Sequence, residues 1–325
     1  MGSKGSINSV GGVVWCGMGN QIEAGPSGTV TNPTEAWGQR RESTTQKVTI
    51  EYFTNVKAGE TADVLVVAGQ HPREWNSLLI AQTFLESLKR EDLADVKLVV
   101  VPNANPAGLV RSKTVNRMQR GNARNVDLNR NFPTEHFQEK APTQNMPWTN
   151  GDKDGSEPET LILMGLIKEL QPKTVLNLHC FGRLIILPHS YTTELPPEWP
   201  VLHEHAELMR QVLKACMGHD YNILPFRKIY EGHGPLMEWC YSRGIACFTF
   251  EFGTSFERDD ETVRRGKEAL RKLIEIASAV PRLGAMRKAT SKELKRWSDE
   301  ERVNVPYQGY MHLQCIGMKR CAISR

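Results

Sequence analysis

No apolar run in this chain approaches the ~20 residues needed to span a bilayer, and the N-terminus lacks the short apolar core of a secretory leader. The seven cysteines (Cys16, Cys180, Cys216, Cys240, Cys247, Cys315 and Cys321) are odd in number and scattered, with no C-x-x-C pair. That pattern argues against a disulfide framework and predicts reduced thiols in a soluble, cytoplasmic protein. Excess charge is also scarce. A net charge of +4 over 325 residues falls short of the concentrated basic stripe that marks a nucleic-acid binder, so no nucleic-acid partner is expected. The chain has no internal repeat.

What is present describes a globular enzyme-sized chain. A hydrophobic content of 39% and a charged content of 24% are ordinary for a folded domain, and 325 residues suffice to bury a sizeable core. Residues 48–53 alternate like a strand, and residues 63–68 read as a buried strand ended by Gly69. Apolar positions recur at helical spacing over 77–88, and another buried strand over 96–101 is closed by Pro102. The polar, Asn- and Arg-dense segment 103–133 is expected to be a loop, and one that long inside a compact domain is usually functional. Ser156 with Glu159 predicts a capped helix running to Leu170, followed by strands over 174–178 and 184–187. After the proline-broken stretch 196–200 comes a helix ending near Met217, then a short helix beyond Gly234, a strong strand over 246–252 and a charged helix over 261–279.

Strands alternating with helices predict an α/β fold, a mixed but largely parallel central sheet flanked by helices. The expected organisation is an irregular extension over 1–44, a folded α/β domain over 45–281 and a basic tail over 282–325. That tail holds ten Lys or Arg against four Asp or Glu, which leaves the rest of the chain near −2. It is either a solvated face or a contact for an acidic surface. The start Met1-Gly2-Ser3-Lys4-Gly5-Ser6 fits the N-myristoylation pattern, and a single acyl chain on Gly2 would add only weak membrane association. A plain flexible Gly/Ser lead-in is the competing interpretation.

The chemistry begins where the strand over 63–68 stops. Gly69-Gln70 leads into His71-Pro72-Arg73-Glu74, which sets an imidazole and a carboxylate at the start of a helix. H-x-x-E alone is weak, because chance supplies it often. A second strand delivers His179 at its C-terminal end, where open α/β sheets gather their ligands. His71, Glu74 and His179 would form the two-histidine, one-glutamate set that binds one Zn²⁺ and leaves a coordination position open.

Further landmarks follow in order: Asn105-Pro106-Ala107-Gly108, Arg117-Met118-Gln119-Arg120, Val126-Asp127-Leu128-Asn129-Arg130-Asn131-Phe132, Ile229-Tyr230 and Phe248-Thr249-Phe250-Glu251. With His71–Trp75 and His179, they make residues 48–280 resemble the pancreatic-type zinc carboxypeptidases. The resemblance implies that Glu251 is the catalytic carboxylate and that Arg120 stabilises the developing oxyanion. It implies that Asp127 holds a zinc-bound imidazole from behind. Asn129, Arg130 and Tyr230 would grip the free C-terminal carboxylate of a peptide or protein substrate, and Arg73 would join the substrate side. Met237 would floor the pocket for the leaving side chain and favour an apolar or aromatic residue.

Several alternatives stand beside these roles. Arg117 and Arg120 sit one helical turn apart and could exchange. Met237 suits a core position equally well. Glu238 is adjacent, and a one-residue shift would place an acid in the pocket and select Lys or Arg. Asp127 could cap a turn, and Glu251 could be an ordinary strand-end charge. At the level of the whole chain, an amidase or deacylase on the same scaffold and a catalytically silent peptide-binding module compete with the exopeptidase. Cys180, beside His179, departs from the small polar residue usual at that place in the resembled family.

Overall fold

The computed structural model of the chain describes residues 38–43, 48–89, 92–93, 95–135 and 148–301, with backbone alone for 38–43 and 300–301. Gly2, Cys16, Cys315, Cys321 and the stretch after residue 301 lie outside these bounds.

Eight strands form one sheet: β1 (Gly38–Ser43), β2 (Thr49–Thr54), β3 (Val64–Ala68), β4 (Leu98–Val101), β5 (Thr174–His179), β6 (Leu184–Leu187), β7 (Asn222–Pro225) and β8 (Ala246–Glu251). Their order is β1-β2-β4-β3-β5-β8-β6-β7. The centre, β4-β3-β5-β8, is parallel, while β1-β2, β2-β4 and β6-β8 pair antiparallel. Central strands such as Val64-Leu65-Val66-Val67-Ala68 are buried at every position, as a parallel sheet covered on both faces requires.

The period-two alternation divides these strands between two cores. Val64, Val66, Leu176, Leu178, Phe248 and Phe250 pack under α1 (Trp75–Ser87), α4 (Trp199–Met217) and α6 (Asp260–Ala279). Leu65, Val67, Val175 and Cys247 face the opposite core, which includes α3 (Pro158–Leu170) and α5 (Leu236–Tyr241). A fully buried side chain such as Phe84 in α1 contributes ~1.5–3 kcal/mol by leaving water.

Three expectations need correction. The 103–133 segment is not loop throughout, because it contains α2 (Pro106–Thr114) and a 3-10 turn at Leu128–Arg130. Only two residues of α2, Gly108 and Ser112, are buried, so no apolar stripe announces it. Its signals are Pro106 in the first turn and the Asn105 side chain accepting from Gly108 N at 2.9 Å. Ser156 does not cap α3: its hydroxyl binds Glu157 Oε1 at 2.7 Å, and the helix begins at Pro158. Gly38–Ser43, read as irregular, is an edge strand held by antiparallel pairing with β2. At the other end, α7 (Ser291–Glu301) lies within the basic segment, and its Trp297 ring sits 4.8 Å from that of His203 in α4. No helix among the described residues is long and apolar enough to cross a membrane.

Candidate metal centre and its surroundings

Two strand ends and one helix start build the centre. β3 stops at Gly69, whose φ of +72° favours glycine and where a Cβ would sit 3.0 Å from the Asn103 Cα. The turn carries His71 and then Glu74, which stands at the N-terminal boundary of α1. β5, parallel and adjacent to β3, brings His179 up beside them. One donor atom from each of His71, Glu74 and His179 lies within 4.8 Å of the others, and all three residues are buried.

The proton positions fit this trio to a cation. His71 Nε2 donates to Asp127 Oδ1 at 2.9 Å, and His179 Nε2 reaches Gln70 Oε1 at 3.2 Å. A neutral imidazole anchored through Nε2–H presents a lone pair at Nδ1. The two Nδ1 atoms face each other at 3.2 Å, and Glu74 places its oxygens 2.7 and 2.8 Å from them. Burial lowers the His179 pKa and favours the neutral form a metal requires. Burial raises the Glu74 pKa, but the two imidazoles outweigh it and keep the carboxyl ionised. Lone pairs and an anion converging in a buried space repel one another unless a cation sits among them, and two imidazoles with a carboxylate are the donor set zinc takes.

Asp127 accepts from Arg120 Nε at 2.6 Å and from Asn129 N at 3.0 Å, besides holding His71. Burial pushes its carboxyl up, yet Arg120 and His71 overcome this and hold it well below the ordinary range. The converse applies to Arg120: burial opposes its charge, and Asp127 ahead of Tyr230 and Glu74 keeps it firmly protonated. Asp127 thus does more than cap a turn; it locks an imidazole to a guanidinium. Arg117 is 61% exposed and pairs with Glu257 on the surface, whereas Arg120 is buried with Nη1 3.9 Å from Glu74 Oε1. The structure therefore separates the two arginines that spacing left exchangeable.

Glu251 ends β8 directly across from His179 in the register. Its Oε2 is buried without a hydrogen-bond partner among the described residues. Burial and then the charge of Glu74 raise its pKa well above the usual carboxylate value, against the pull of Arg120, Arg73 and Arg130. A perturbed, unpaired carboxylate beside a donor trio has the makings of a proton-transfer group.

The 3-10 turn carries Asn129 beside the donor trio, with Arg130 next to it. Arg130 Nη2 donates to the Tyr230 hydroxyl, and its guanidinium lies 5.2 Å over the Phe226 ring. Asn129 Nδ2 approaches His179 Nε2 at 3.4 Å, and its Oδ1 accepts from Leu236 N at 2.9 Å, which ties this turn to α5. Gly234 has a φ of +70° and lies hard against the Arg130 carbonyl, where a Cβ would collide.

Arg73 is buried between Phe256 at 4.3 Å and Trp148 at 5.3 Å, with none of its three guanidinium nitrogens hydrogen-bonded among the described residues. Burial first, then Arg120, brings its pKa down to about 10. Met237 belongs to the apolar core on the α5 side of the sheet. Glu238 does not stand in Met237's place: its oxygens accept from His189 Nδ1 at 2.8 Å and Ser190 N at 2.9 Å.

Three contributors were missed from sequence. Gln70 places its Oε1 3.2 Å from His179 Nε2, and its position between Gly69 and His71 was the available signal. Trp148 bridges Arg73 and Arg120, lying 5.3 Å from each guanidinium. The Glu238–His189 pair joins residues 49 apart in the chain, and no local pattern reports it.

Residues 39–265 match the family described as zinc carboxypeptidase. Mast cell carboxypeptidase A of Mus musculus is 29% identical over 219 residues, covering 60% of this chain and 52% of its own length. Murein peptide amidase A of Escherichia coli (strain K12) is 31% identical over 201 residues, covering 58% of this chain and 70% of its own. Bovine thrombin-activatable fibrinolysis inhibitor, solved with a tick carboxypeptidase inhibitor, shares the fold at a TM-score of 0.67 and 22% identity, over 76% of this chain and 90% of that one. The chain spans about half the length of the carboxypeptidase relatives it matches.

Proposed function

Because the chain belongs to the zinc carboxypeptidase family, we propose that it is a zinc-dependent exopeptidase that hydrolyses the last peptide bond of peptides or protein tails. His71, Glu74 and His179 hold one zinc ion in this reading. Its chief support is the convergence of those three donors with the unpaired Glu251 Oε2 one strand away. Zinc there supplies a Lewis acid that acidifies water and polarises the scissile carbonyl. Glu251 takes the proton from the attacking water and passes it to the leaving amine. Arg120, held by Asp127, presents its guanidinium to the oxygen on which charge develops. Asn129, Arg130 and Tyr230 bind the substrate's terminal carboxylate, with the planar guanidinium offering a two-pronged fork. Arg73 joins the substrate-binding set in this reading. Met237, with Glu238 committed elsewhere, supports a preference for an apolar or aromatic last residue.

A second reading, hydrolysis of cell-wall peptide amides, draws on the murein peptide amidase relatives. The presence of Asn129, Arg130 and Tyr230 favours the first. The scattered, odd-numbered cysteines support a reducing, cytoplasmic setting, with acylation of Gly2 as a weak membrane tether.

Mass spectrometry of a peptide panel with free and amidated C-termini, with and without a chelator, tests this function. Chelator-sensitive loss of single residues from free ends alone is the expected result. Equal cleavage of amidated peptides, or internal cleavage, overturns it.

A further inference from the structure

β5 carries an anomaly below the donor trio. Asn177 lies two residues before His179, hence on the same face of the sheet and roughly 6.6 Å further along the strand. It is 0% exposed, and neither Nδ2 nor Oδ1 has a hydrogen-bond partner among the described residues. Its in-register neighbours are Val67 on one side and Thr249 on the other, and Ile186 lies beyond Thr249. Val175, the next residue down this face, is apolar and packed in the core with Met237 and Leu236. A buried amide with both its donor and its acceptor idle is costly, and a strand gains nothing from it in place of valine.

The position explains the residue. Asn129 lies beside His179, and its Oδ1 bond to Leu236 N ties the 3-10 turn to α5, whose Met237 packs in the core on Asn177's side of the sheet. In the exopeptidase reading, a C-terminal residue whose carboxylate is held by Asn129 and Arg130 lays its side chain along this face, toward Asn177. Both Glu238 oxygens are engaged by His189 and Ser190, so Glu238 does not pair with this amide.

We propose that Asn177 is a specificity-determining residue that reads the tip of the leaving C-terminal side chain, selecting an apolar stem that ends in a neutral hydrogen-bonding group, with tyrosine preferred over phenylalanine. This rests on the exopeptidase function proposed above and narrows its aromatic preference. A site that hydrogen-bonds a substrate hydroxyl rejects the analogue lacking it, because the buried amide is then left unpaired.

The test uses the zinc-loaded full chain and matched blocked dipeptides ending in Tyr or Phe, and in Gln or Met. The expected kcat/KM ratios favour Tyr over Phe and Gln over Met by about tenfold or more. Asn177→Val, with Asn177→Ala as a second variant if the first does not fold, brings both ratios close to one whatever the absolute rates. Release of Phe as fast as Tyr by the wild-type protein, or ratios that survive in a folded variant, overturns the assignment of Asn177 and leaves the exopeptidase function standing. No release from any of the four overturns both.

Discussion

Asp127→Asn tests whether one carboxylate couples the metal-site geometry to the oxyanion arginine. The wild-type side chain accepts from His71 Nε2 at 2.9 Å and from Arg120 Nε at 2.6 Å, and both partners are buried. An amide of the same shape has only one oxygen, so one of those N–H groups meets an NH₂ instead. Arg120 would then have Glu74, at 3.9 Å, as its nearest remaining carboxylate. Breaking a buried ion pair this way costs ~3–5 kcal/mol. At about 2 °C per kcal/mol for a domain of this size, the metal-free protein should melt about 6–10 °C lower. Loss of the bond behind His71 should weaken zinc binding about ten- to hundredfold, read by competition with a chromophoric chelator.

The pH dependence has a definite sign. Asp127's folded pKa is depressed, so its contribution is fully present above the ordinary carboxylate value of about 4 and is lost as pH falls through the folded pKa. The melting gap between wild type and variant should hold steady from neutral pH to about pH 5 and close only in stronger acid. A gap under about 2 °C at pH 7, together with zinc affinity within about twofold of wild type, would refute the coupling.

Glu251→Gln should lower turnover by about 10²–10⁴-fold while leaving zinc stoichiometry at one per chain, as measured by metal analysis of the purified variant. In the metal-free protein, burial and the Glu74 charge should make the Glu251 carboxyl titrate well above the ordinary glutamate range, read by NMR of the side-chain carboxyl, and added zinc should lower it; a metal-free midpoint in the ordinary range would count against this environment for Glu251. Arg117→Ala, at an exposed surface pair, should change stability by less than about 0.5 kcal/mol and leave kcat unaltered. Arg120→Ala should cost about 10²–10³-fold in kcat, and steady-state kinetics showing the reverse pattern would exchange the two arginines.

Much of this was visible before any coordinates. A buried strand ending at glycine, an imidazole and a carboxylate three residues apart, and a second strand ending in histidine are local patterns that backbone chemistry makes readable. Most strands and helices followed from period-two and helical spacing, with ends shifted by a residue or two, while β7 and α7 were not read. α2 escaped because its signals are a cap and a proline rather than an apolar stripe, and β1 because an edge strand is held by its neighbour's hydrogen bonds.

The amino-acid sequence by itself determined which residues could bind a cation, carry a proton or grip a carboxylate, since those capacities belong to side-chain chemistry. The tertiary structure alone decided which of them do so together. It sent Arg117 outward and Arg120 inward, committed Glu238 to His189, and left Asn177 and Glu251 with idle polar atoms. Desolvation and pairing are set by what packs around a group from distant parts of the chain, and nothing in a residue's immediate neighbours along the sequence encodes that environment.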